Sequence, residues 1–142
     1  MHTWAYQRPK KHIKCKQIRI ANYSGNSYNT IQTTPEFIYV AQFRANNILQ
    51  LTHDWVLVAI HDTTAFGELI GPSLSGMDPL ESLLVADFAN QRLLALKKNG
   101  ELYFIDMEKY IYPSSAIVIG NGMFVAGYDG NHYCFARYSS HI

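Results

Sequence analysis

At 142 residues, with 48% apolar and 16% charged side chains, the chain has the size and composition of one folded domain with a substantial core, which excludes a disordered protein. A net charge of +1 gives no ground for a nucleic-acid or membrane-surface protein, and no stretch approaches the roughly 20 apolar residues of a membrane span. Two cysteines, Cys15 and Cys134, are too few for a disulfide framework. The expectation is a single all-β domain over residues 1–142, soluble and cytoplasmic, with free thiols.

The first segment, 1–16, is basic. Together with Arg19, residues Arg8, Lys10, Lys11, Lys14 and Lys16 supply half of all basic side chains, and the first acidic residue is Glu36. A solvated terminus explains this more simply than a phosphate-binding arm. A strand is predicted at "KQIRIAN", followed by a polar turn at "YSGNSYN".

From Phe37 onward a pattern recurs. "FIYVAQFRANNILQL", "LLVADFANQRLLAL" and "MFVAGYDGNHYCFAR" align on Val40, Val85 and Val125, spaced 45 and then 40 residues apart. Each has Ala next and an aromatic at plus three: Phe43, Phe88 and Tyr128. Each then has an Asn (Asn46, Asn90, Asn131) and an apolar residue at plus eight (Ile48, Leu93, Tyr133). Apolar runs broken by Asn, Asp, Gly or Gln read as strand, turn, strand, because those residues tolerate positive φ and bond their own backbone.

The first repeat turns near Asp54-Trp55 into "WVLVAI". Residues 62–82 break the pattern, and "DPLE" reads as a helix start, with Asp78 as cap and Pro79 in the first turn. In the second repeat, Asn99-Gly100 predicts a two-residue hairpin turn, with Lys98 opposite Glu101 and Leu96 opposite Tyr103. A short helix is expected over Asp106–Tyr110. In the third repeat, "SAIVIG" leads into a turn at Asn121-Gly122.

Three meanders of three strands are therefore expected. "WVLVAI", "MFVA" and "RLLAL" are apolar at both parities, so their sheets must be covered above and below. Antiparallel meanders with a period near 40 and two covered faces describe propeller blades; a barrel or a two-sheet sandwich is the alternative. Residues 83–106 resemble one repeat of the NHL-type β-propeller family, through Val85, Ala86, Asp87, Asn90, Arg92 and Gly100. Gln42 and Gly127 stand where Asp87 does in the other repeats. That resemblance implies a scaffold that mostly binds and in some members catalyses. Closed propellers typically need at least four blades, so three imply a homo-oligomer or a different closure.

Candidate chemistry is sparse. His53-Asp54 and His61-Asp62 fall about 16 Å apart on a ladder rising about 3.3 Å per residue, too far to share a metal ion. His132 and Cys134 lack an orienting acid nearby in sequence. Asp129-Gly130-Asn131 reads as a turn, not a calcium loop, and the Gly120–Gly122 stretch lacks the lysine of a phosphate loop. No cofactor or metal is expected. The aromatics are the stronger lead, since Tyr and Trp bring large contact area and one polar handle. Trp55, Tyr110, Tyr112 and Tyr128, with His132, are the candidate ligand-binding residues. They point to a non-catalytic binding protein whose partner is a protein or a carbohydrate. The alternative is a small enzyme with His61, Asp62 and Asp87 brought together by the fold.

Overall fold

A computed structural model describes residues 29–65, 67–107 and 111–139. The basic segment 1–16, the strand expected at 16–22 and Tyr110 lie outside the described residues. The described residues form thirteen strands: β1 (Asn29–Thr33), β2 (Ile38–Gln42), β3 (Asn47–Leu51), β4 (Leu57–His61), β5 (Thr63–Thr64), β6 (Gly67–Glu68), β7 (Pro72–Met77), β8 (Leu83–Asp87), β9 (Arg92–Leu96), β10 (Leu102–Ile105), β11 (Tyr112–Ile119), β12 (Gly122–Tyr128) and β13 (Tyr133–Ser139). A single 3-10 turn, Phe88–Asn90, is the one helical element among the described residues.

The strands form three meandering antiparallel sheets, β1-β2-β3-β4, β7-β8-β9-β10 and β11-β12-β13, plus the small ribbon β5-β6. The sheets stack face to face in the manner of propeller blades. Their first strands lie side by side and are tied by side chains. Thr30 Oγ1 on β1 accepts from Leu74 N on β7 at 2.8 Å, and Ser75 Oγ on β7 accepts from Ala116 N on β11 at 2.9 Å. The repeat seen in the sequence is structural: Val40, Val85 and Val125 each lie on the second strand of their sheet.

Two apolar layers hold the stack. Tyr39, Ala41 and Ile48 of the first sheet pack with Leu83, Val85, Leu94 and Leu96 of the second. On the other side, Leu84, Ala86 and Leu93 pack with Ala116 and Val125 of the third. Leu93 and Leu94, adjacent in sequence, therefore bury their side chains in different layers, because strand neighbours point to opposite faces. Every residue of β8 and β9 is buried, as the two-faced pattern of "RLLAL" requires.

Several expectations need correction. The first two sheets have four strands: "NTIQT" forms β1 ahead of the first repeat, and "PSLSGM", which falls inside the supposed pattern break, forms β7. Asp78 caps a turn and no helix: its Oδ1 accepts from Leu80 N and Ser82 N, and the chain reverses straight into β8. Too few residues separate β7 from β8 for a helix to form. Asp106 and Met107 are not helical; the rest of the helix expected there lies outside the described residues.

The Asn99-Gly100 turn is a three-residue loop, Lys98-Asn99-Gly100, closed by Gly100 N donating to Lys97 O at 2.9 Å. Gly100 takes the left-handed position (φ 88°), and Leu102 pairs with Leu96 and Tyr103 with Ala95, one step from the expected register. The same loop length recurs at His53-Asp54-Trp55, where Trp55 holds φ 65°. The third-sheet turn is Gly120-Asn121, and Gly122 already belongs to β12. The run Trp55–Ile60, expected to be covered on both sides, leads from the turn into the outer strand β4 and stays exposed at Val56, Val58 and Ile60.

Candidate functional site

The loops β2–β3 and β8–β9 share one build. Each spans four residues, 43–46 and 88–91, opens on Phe and ends on a left-handed residue, Asn46 (φ 58°) or Gln91 (φ 53°). The connector that enters β7 is clamped between them. Asn46 Oδ1 accepts from Gly71 N at 2.9 Å, and Ala89 N donates to Ile70 O at 3.1 Å. Gly71 has φ 70°, and any Cβ there would press on the Phe43 ring at 3.0–3.1 Å, so glycine is required for this close approach.

Asp87 completes the clamp. It is fully buried; Oδ1 accepts from Ile70 N at 2.8 Å, while Oδ2 accepts from Asn90 Nδ2 at 2.9 Å and Arg92 Nε at 2.6 Å. Asn90 and Arg92 also reach Glu68 O, at 2.8 and 3.2 Å. Three of the residues that carry the sequence resemblance, buried Asp87 and Arg92 and half-buried Asn90, thus form one network that fixes the link between sheets.

This clamp positions a row of aromatic rings. Phe43 and Phe88 stand 6.2 Å apart, Phe88 and Tyr112 5.4 Å, Tyr112 and Tyr128 6.5 Å, and Tyr128 and Tyr133 5.9 Å, all tilted or edge-on. The row crosses all three sheets at the end where loops 43–46, 88–91 and 129–132 emerge. Four of the rings are half-buried, and Tyr133 at its end is 88% exposed. The Tyr128 hydroxyl donates to Gly130 O at 2.9 Å, and Asp129 Oδ1 accepts from Asn131 N and His132 N. That turn leaves the Asn131 and His132 side chains exposed beside Tyr133.

Of the predicted binding residues, Tyr112, Tyr128 and His132 meet at this end. Trp55 does not join them: it sits in the β3–β4 turn at the opposite end of the sheets. Tyr110 lies outside the described residues. Phe43, Phe88 and Tyr133 were not singled out as binding residues, although Phe43 and Phe88 are the plus-three aromatics of the repeat and Tyr133 is its plus-eight residue. The shared repeat position was the signal that could have found them.

His61, Asp62 and Asp87 do not assemble as an acid-base trio. The His61 Nε2 bonds to Gln50 Oε1 at 2.9 Å, and the Asp87 oxygens are taken by the clamp, so Asp87 is not available to the His61-Asp62 pair. Cys134 packs towards the second apolar layer while His132 stands in the turn, so these two do not form a reactive pair. Among the described residues no three His, Cys, Asp or Glu side chains gather to hold a metal ion. No helix among them is long and apolar enough to cross a membrane.

Burial pushes the His61 imidazole below its ordinary range, opposed in part by the Asp62 carboxylate. The unfolded chain therefore binds this proton more readily than the folded one. Stability is full above the ordinary histidine range and falls as pH drops through it towards the lower folded value. A thermal melt is expected to fall between neutral and mildly acidic pH, and His61→Gln, which can keep a bond to Gln50, should flatten that slope. An unchanged slope in the variant would contradict this assignment.

No protein-family model matches the chain, and no curated protein matches it in sequence. Among solved structures it is similar to a streptogramin B lyase, with a TM-score of 0.50 and 12% identity over 80% of this chain. That match spans 45% of the lyase, so the chain covers about half the length of its structural neighbour. At this identity the likeness establishes the fold alone: an all-β, propeller-like stack of antiparallel sheets.

Proposed function

We propose that the protein is a non-catalytic binding protein whose ligand lies along the row Phe43, Phe88, Tyr112, Tyr128 and Tyr133. One observation carries this reading: the rings contact one another without a break across three sheets and end in Tyr133, which is 88% exposed. Rings braced by neighbours lose little freedom on binding, which favours recognition. Of protein and carbohydrate, the two partner classes suited to such a surface, the exposed side chains of Asn131 and His132 beside Tyr133 favour a carbohydrate. Its apolar ring face would stack on the tyrosine while its hydroxyls meet the amide and imidazole.

The enzyme reading through His61, Asp62 and Asp87 has less support, because Asp87 serves the buried clamp. The name of the structural neighbour denotes a lyase, but a resemblance of fold carries no chemistry to this chain.

The reading is tested by presenting a panel of immobilised oligosaccharides to the full chain and to Tyr133→Ala. Loss of the exposed ring should weaken binding by about tenfold or more, since truncating an aromatic hot-spot side chain costs about 2 kcal/mol or more. Retention of wild-type affinity in Tyr133→Ala, or no glycan bound by the wild type, would overturn the proposal.

A further inference from the structure

The two outer faces of the sheet stack are not alike. On the first sheet the outward side is closed at its centre, where Ile38, Leu49 and Leu51 are buried, and open only on its flanking strands, where Ile31, Val58 and Ile60 are 54%, 52% and 44% exposed. On the third sheet the outward side is open at its centre: Ile117 is 52% exposed, Phe124 39% and Phe135 87%. The registers Ile117↔Phe124 and Ala126↔Phe135 place these side chains on one face, opposite Ala116 and Val125, which fill the inner layer. A hollow of about 350 Å³ lies here, lined by Ile117, Phe124, Ala126 and Phe135 among others. Among the described residues the strands of this face carry one charge, Arg137, and its guanidinium lies over the Phe124 ring at 5.7 Å.

We propose that this face binds a second copy of the chain, the same face on each, about a two-fold axis. Three observations select that occupant. The chain already buries its sheets by stacking apolar face on apolar face, twice, and the open face continues that stack. Addition in a head-to-tail ring would need an open first-sheet face to receive it, and that face is closed at its centre. The open face also holds a ridge and a hollow together. Phe135 stands at the rim of the hollow, so a two-fold operation brings each copy's Phe135 to the other's cavity, which is the self-complementarity an isologous contact requires. The pairing ends the stack at two copies and does not depend on the carbohydrate reading. Tyr128 and Tyr133 lie at the border of the same face, and each pair of copies carries two aromatic rows.

Light scattering on the full chain should give twice the 16.2 kDa of one copy. Phe135→Asp removes a side chain that is almost wholly exposed in the single copy, so folding should persist, read from an unchanged far-ultraviolet spectrum. Burying that carboxylate should raise the dimer dissociation constant by about a hundredfold or more. Leu80→Glu, in the β7–β8 turn at another exposed apolar site, should leave the dimer intact. A monomeric wild type at all concentrations would overturn the pairing, as would a dimer that survives Phe135→Asp or dissociates equally with Leu80→Glu. Glycan binding by a monomeric wild type would leave the ligand reading standing while the pairing fails.

Discussion

Replacing Asp87 with alanine is expected to cost about 3–5 kcal/mol, because the change takes the carboxylate away from a buried guanidinium. For a chain of this size that corresponds to a fall in melting temperature of about 9–15 °C. Arg92 is 8% exposed and Asp87 is fully buried, so water cannot replace the carboxylate in place. Ile70 N and the Asn90 amide lose their acceptor as well. A double variant, Asp87→Ala with Arg92→Leu, should recover part of the loss, since removing both charges avoids an orphaned ion. The single variant should also loosen loop 88–91 and with it Phe88, the ring that joins the first sheet's part of the aromatic row to the third. A melt within about 3 °C of wild type would show that the clamp does not hold the inter-sheet link.

Much of the sheet architecture was legible because burial on two faces leaves a mark. Leu93 and Leu94 are both large and apolar, which a half-wet strand does not allow. The anchors Val40, Val85 and Val125 were equally readable, since equivalent second strands meet equivalent surroundings. Turn lengths were not. Asn99-Gly100 satisfies a two-residue turn and a three-residue loop alike, because both want positive φ at the glycine. Strand β7 was hidden by Gly76 and two serines, Ser73 and Ser75, which are buried although their residue type favours turns. There Ser75 serves as a bonding group to Ala116. The exposure of Val56, Val58 and Ile60 could not be read either: an edge strand and a covered strand can share one composition, and only the order of strands separates them.

The candidate site was half legible for a related reason. Phe43, Phe88 and Tyr128 occupy one repeat position, so a structural repeat predicts their convergence at one end. Trp55 looked equally promising as an aromatic in a turn, but alternating strand direction sends the β3–β4 turn to the other end. Asp87 looked available for catalysis because one of its ties runs to Ile70, 17 positions away on a connector that has no sequence signature.

The central claim is that the middle sheet is buried on both faces, and the pair Leu93→Ala and Leu94→Ala tests it most directly. The two residues are neighbours on β9, yet Leu93 packs towards the third sheet and Leu94 towards the first. Both are fully buried, so each truncation should cost about 2–5 kcal/mol and lower the melt by about 6–15 °C. Val58→Ala, on the exposed outer strand, should change stability by less than about 0.5 kcal/mol. Comparable large losses at Leu93 and Leu94, with Val58 silent, are the result this structure predicts. A large loss at one leucine and none at the other would mean that one face of the middle sheet is open to water, and the stacked-sheet account would fail.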